Sequence, residues 1–196
     1  MKKFITGCVC LLIATIFLAI IPTEAECAVY DDTIRLHILA NSDSNDDQAL
    51  KIKVRDAILC EFSDELNKIS SKAEAEETIS ALLSDIEKFA EEVIAKSGYS
   101  YTVKATLSDE LYETRTYEDF TLPRGIYTSL RIIIGNGEGK NWWCVMFPPL
   151  CLDMATESVP DDDAIKKYSK EEISLIRRGG YNIKFKLLEM FSNAFS

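Results

Sequence analysis

The chain has 196 residues, with 32 acidic against 22 basic side chains, a formal net charge of −10 and one histidine. Such an acidic protein is repelled by phosphate backbones and anionic headgroups, which argues against a nucleic-acid partner. A single histidine excludes multi-histidine metal centres and leaves imidazole chemistry to one residue, and no cofactor is expected.

Met1-Lys2-Lys3 precedes an apolar run from Phe4 to Ile21, and Thr23 and Ala25 are the small residues of an export cleavage site. The run is 18 residues, long for a signal peptide and borderline for a membrane span. Residues 1–26 are expected to be a signal peptide or an N-terminal membrane anchor, and residues 27–196 a single exported domain. In either form the lysines stay in the cytoplasm and the remainder crosses the membrane. Setting aside Cys8 and Cys10, the four cysteines Cys27, Cys60, Cys144 and Cys151 allow three disulfide pairings. Cys144 and Cys151 are the candidate pair; the six residues between them are too many for a zinc knuckle. Cys60 reads as a small buried hydrophobe in a helix and Cys27 as a mobile thiol.

Thr33 to Ala40 alternates as a strand, with Ile34, Leu36 and Ile38 on one face and Arg35 and His37 on the other. After the turn Asn41-Ser42-Asp43, Ser44 and Asp47 cap a helix whose apolar stripe runs from Leu50 to Leu66. Ser71 and Glu74 cap a second helix, striped from Ile79 to Ile94 and closed by Gly98. Tyr99 to Leu107 alternates as a half-buried antiparallel strand. Ser108 to Leu122 has no clear period and is expected at most as an edge ribbon. Ile126–Ile134 and Asn141–Phe147 read as strands joined by a glycine-rich hairpin loop, residues 135–140. Asp161-Asp162-Asp163 lies in an acidic loop, Ser169 and Glu172 cap a short helix ending at Gly179-Gly180, and Ile183 to Phe195 closes the chain. The expected class is α+β: a mostly antiparallel sheet of about four strands with helices packed on one side.

The chemistry-bearing motifs fail on inspection. The glycine loop lacks the spacing of a phosphate cradle and leads into a strand. Asp43 to Val54 resembles a calcium loop but has Gln48 at its sixth position and Val54 at its twelfth. No Gly-x-Ser-x-Gly occurs. A cysteine–histidine pair built on His37 is the one enzymatic alternative, an extracytoplasmic cysteine-dependent hydrolase.

Ile34-Arg35-Leu36-His37-Ile38-Leu39-Ala40-Asn41-Ser42-Asp43-Ser44, with Asp47 to Ala57, resembles the N-terminal signature of the stage II sporulation protein R family. Gly125-Ile126-Tyr127, Leu130 to Gly135 and the block Gly137 to Cys151 (Asn-Trp-Trp-Cys-Val-Met-Phe-Pro-Pro-Leu-Cys at its end) continue it. Phe185-Lys186-Leu187-Leu188-Glu189 resembles its C-terminal segment. The resemblance implies a non-enzymatic sporulation signal of an endospore-forming bacterium, exported from the forespore into the septal intermembrane space. Its implied partner is a membrane-embedded aspartic protease of the mother cell, contacted on its outer face, which then processes a pro-sigma factor. Six polar or aromatic residues with no evident role in the core are the candidate receptor contacts, namely Arg35, His37, Asn41, Asp43, Arg131 and Trp143. Arg131 and Trp143 could equally serve to complete the sheet.

Overall fold

The computed structural model describes residues 2–20, 23–117, 120–150 and 167–177. Helix α1 (Lys2–Ile20) exposes Phe4, Leu11 and Leu12. Among the described residues no helix is long and apolar enough to cross a membrane. Helix α2 (Glu24–Asp31) begins at a capping box in which Thr23 and Glu26 bond each other's backbone N–H, and it buries Val29. Cys27 is exposed on this helix.

Strand β1 (Ile34–Leu39) is buried at every position. Ser44 then accepts the N–H of Asp47 at 3.1 Å and starts α3 (Asn45–Glu61). The helix expected to run on to Leu66 breaks at Phe62, and α4 (Ser63–Lys68) follows. Cys60 is exposed rather than buried, because in this last turn Ile58 and Leu59 take the core-facing positions. Helix α5 (Lys72–Lys96) follows its capping serine, Ser71, and buries Ala75, Ile79, Ile86, Ala90 and Ile94. Gly98, at φ +88°, takes the left-handed conformation that closes such helices.

Strand β2 (Val103–Tyr112) begins and ends later than its alternation suggests. Tyr99 and Tyr101 stack on each other (ring centroids 5.6 Å apart) ahead of the sheet, and pairing begins at Val103 opposite Ile134. The polar residues 108–112 are drawn into the sheet by that pairing. A two-stranded ribbon, β3 (Arg115–Thr116) and β4 (Thr121–Leu122), precedes β5 (Gly125–Ile134) and β6 (Asn141–Phe147). Helix α6 (Lys170–Arg177) is capped by the Ser169–Glu172 box and packs on α2. Tyr168 anchors its start, with its hydroxyl 2.7 Å from that of Thr33.

The sheet has four strands in the order β2-β5-β1-β6. It is mixed, which corrects the expectation of a mostly antiparallel sheet: β1 runs parallel to β5, while β2–β5 and β1–β6 are antiparallel. Nor do β5 and β6 form a hairpin, because β1 lies between them. A strand covered on both faces belongs at the centre of a sheet, and cover on both faces is the setting in which parallel pairing occurs. The loop of residues 135–140 therefore crosses the end of β1. Glu138 and Gly139 donate N–H groups to the carbonyls of Asn41 (3.2 Å) and Ala40 (2.9 Å). Gly139 must be glycine here, since a Cβ would collide with the Ser42 carbonyl.

Asp47 locks this crossing, accepting Ser42 Oγ at 2.6 Å and Asn41 Nδ2 at 2.9 Å. Those hydrogen bonds, from Ser42 first and then Asn41, hold its carboxyl below the ordinary range against the effect of burial. A carboxyl depressed in the folded state stabilises the fold above its unfolded pKa of about 3.9, and that contribution is lost as pH falls through the folded value. Asp47→Asn should thus be less stable than wild type at neutral pH, with the gap closing on acidification. Urea unfolding at pH 7 and pH 3 checks this; a gap independent of pH would contradict it.

Helices α3 and α5 cover the face carrying Leu36, Ile38, Leu130 and Ile132, but α2, on which α6 packs, meets the other face, which corrects the expectation of helices on one side. The opposite face meets Tyr30 of α2 and Tyr117 beside β3. The polar residues gather there.

Candidate functional site

Because side chains alternate along strands, Arg35 and His37 of β1, Ser129 and Arg131 of β5 and Trp143 of β6 project from this second face. Glu110 and Tyr112 of β2 join them through direct contacts.

Arg35 lies at its centre with 0 % exposure. Its Nε donates to the Cys144 carbonyl at 3.1 Å and its Nη2 to the Tyr117 hydroxyl at 2.7 Å, while Nη1 has no hydrogen-bond partner among the described residues. Among the described residues no carboxylate pairs with it. Instead the guanidinium carbon lies 4.3 Å from the Tyr112 ring centroid, 5.3 Å from Tyr127 and 5.9 Å from Tyr117. Cation–π attraction is strongest where both partners are desolvated, as here. Burial pushes the Tyr112 and Tyr117 phenols up, and the neighbouring Arg35 charge works against it at both. These rings therefore stay neutral and offer faces and dipoles, not counter-charge.

His37 is tied on both sides. Its Nδ1 lies 3.0 Å from Glu110 Oε2 and its Nε2 lies 2.8 Å from Asn141 Oδ1. Trp143 stacks on the imidazole, with centroids 5.5 Å apart and planes 26° apart, and the Arg115 guanidinium lies 4.1 Å from a Trp143 ring centroid. Glu110 is the hub: Tyr112 donates to it at 3.3 Å, and Arg131 forms an ion pair at 3.5 Å too long for a good hydrogen bond. Tyr112 also meets Ser129 at 2.7 Å.

Four of the six expected contact residues thus share one face: Arg35, His37, Arg131 and Trp143. Arg35 and His37 are buried in it, whereas Arg131 and Trp143 are partly exposed. Asn41 and Asp43 lie elsewhere, at the end of β1, where they bind the crossing loop: Asn41 Oδ1 accepts the Asn136 N–H at 3.0 Å and Asp43 Oδ1 that of Lys140 at 2.6 Å. Cys144 is disulfide-bonded; Cys151 lies outside the described residues, so the Cys144–Cys151 pair stays a proposal. The Asp161–Asp163 loop and the Ile183–Phe195 segment also lie outside them. Sequence reasoning missed Glu110, Tyr112, Arg115 and Tyr117. The signal was there in Thr106, Ser108, Glu110 and Tyr112, polar-capable groups at every second position.

The arrangement offers little chemistry. Trp143 stacks on His37, so its neighbour Cys144 turns to the helix-covered face, and Cys60 lies on a helix of that same layer. The sheet separates both from the imidazole, which counts against a cysteine–histidine nucleophile. Among the described residues no group of three His, Cys, Asp or Glu side chains is placed to hold a metal.

The stage II sporulation protein R family model matches residues 30–157, more than half of the chain. The chain belongs to the stage II sporulation protein R family. Stage II sporulation protein R of Bacillus subtilis (strain 168) is 36 % identical over 185 residues, covering 85 % of this chain and 83 % of that protein. No solved structure matches the chain. The first signature block, Ile34 to Ser44, builds β1 and the turn that caps α3. The match over residues 30–157 takes in β2, β5, the crossing loop and β6 as well, and so the strands that assemble the polar face.

Proposed function

We propose that the protein is an exported sporulation signal. It acts as a ligand: it binds the outer face of a membrane-embedded aspartic protease in the mother cell and favours that protease's active state, which then processes a pro-sigma factor. Membership of the family is the observation that carries this reading. The basic, then apolar, N-terminus supports export from the forespore, with the segment either removed or kept as a tether. Both ring nitrogens of the sole histidine are engaged, which favours a ligand over an enzyme. Activation requires differential contacts with two states of the receptor. The partly exposed Arg131 and Trp143 and the exposed Arg115 supply a cationic and aromatic patch of the kind that dominates interface energetics. A strain lacking the gene should accumulate the unprocessed sigma precursor on immunoblots through sporulation. Normal processing in that strain would sink the proposal.

A further inference from the structure

Strand β2 is an edge of the sheet, paired only with β5 among the described residues. Its even-numbered residues bond β5, and its odd-numbered residues turn their N–H groups outward. At Val103 and Ala105 these groups are taken by carboxylates of α5, Glu91 at 3.0 Å and Glu87 at 2.9 Å. Side chains that cover an edge in this way prevent pairing with another chain. The cover stops there: the outward N–H groups of Leu107, Asp109 and Leu111 meet no acceptor among the described residues. An open groove between this stretch and the start of α5 is lined by Ala73, Glu76, Glu77, Ser80, Leu107 and Asp109. Beside it, Leu111 and Ile126 are cross-strand partners, 60 % and 62 % exposed. Apart from α1, they are the large exposed apolar side chains of the described residues, and they are adjacent. Scattered exposed hydrophobes need no explanation, whereas a pair flanking an unpaired strand edge does.

We propose that the Leu107–Leu111 edge accepts an extended segment of the receptor as an added strand. The segment sets an apolar side chain against Leu111 and Ile126 and a Lys or Arg toward Glu76, Glu77 and Asp109. Main-chain hydrogen bonds supply affinity in this mode and alternate side chains supply specificity. A second copy of this chain is the wrong occupant, because edge-to-edge pairing would bring two sets of these carboxylates together. The inference rests on the reading of the protein as a ligand and names a contact separate from the Trp143 patch.

The test uses the full-length protease in nanodiscs as the probe, with binding followed by interferometry and amide exchange by mass spectrometry. Wild type should bind and gain protection across residues 107–111. Asp109→Pro, which removes an outward N–H without breaking a bond to β5, should weaken binding at least tenfold. Leu111→Lys keeps the backbone intact and should do the same, covering the case in which the proline variant does not fold. Binding without protection at 107–111, with Leu111→Lys unaffected, overturns the edge assignment and leaves the ligand reading intact. No binding by wild type overturns both. Protection of the same amides in the protein alone, rising with concentration, overturns the assignment in favour of self-pairing.

Discussion

Arg35→Ala should destabilise the protein by about 2–4 kcal/mol, while Arg35→Met should cost about 1 kcal/mol or less. The alanine variant removes the packing among Tyr112, Tyr117 and Tyr127 and leaves a cavity. It also removes the donor to the Tyr117 hydroxyl, a loss of about 1–3 kcal/mol where the group is left buried and unsatisfied. Relief from burying a cation works in the opposite direction. Methionine loses the same hydrogen bonds and gains the same relief but keeps most of the volume, so it avoids the cavity and its net cost is the smaller. The comparison separates the two roles of the side chain: volume on one hand, hydrogen bonds and charge on the other. Urea denaturation of both variants measures it. An alanine variant as stable as wild type would contradict the packing described, and equal losses in the two variants would place the energy in the hydrogen bonds and charge of the guanidinium. A buried cation that contributes little net stability is retained for another reason, and here it fixes Tyr112, which in turn holds Glu110 beneath His37 and Arg131.

The largest functional effect should come from the exposed part of the same face. Trp143→Ala combined with Arg131→Glu removes an aromatic group and reverses a charge. Truncating an interface hot spot typically costs about 2 kcal/mol or more, roughly thirty-fold in affinity. Processing of the sigma precursor in a strain carrying this double variant should therefore fall to near the level of the deletion strain. Circular dichroism and export of the variant must stay normal, since Trp143 also stacks on His37. Full processing by a folded, exported double variant would remove this patch from the contact surface.

Much of the fold was legible because local chemistry and tertiary structure agree. The serines at 44, 71 and 169 cap helices as their sequence context predicts, and the stripe of α5 faces the sheet. The strand order was not legible. Neighbouring strands joined by a glycine-rich loop usually pair, yet β1 inserts between β5 and β6. The pattern of β1 misled: apolar residues on one face and two long polar side chains on the other gave the appearance of an exposed strand. Arg35 and His37 are buried because residues from α2, β2 and the β3–β4 ribbon cover them, and no local pattern in β1 reveals that cover. The ribbon was illegible for the same reason, and in the second half of β2 the alternation from Thr106 to Tyr112 is masked by Asp109, which stands between Leu107 and Leu111. Glu110, Tyr112 and Arg115 were missed with them.

We propose that this protein switches a protease on by binding it. The most direct test places the purified membrane protease and the sigma precursor in proteoliposomes, then adds the exported domain to the outer face. Cleavage should rise with added domain and saturate, and it should fail with the Trp143→Ala, Arg131→Glu variant. Cleavage at the same rate with no domain added, or none at any concentration of it, would contradict the account.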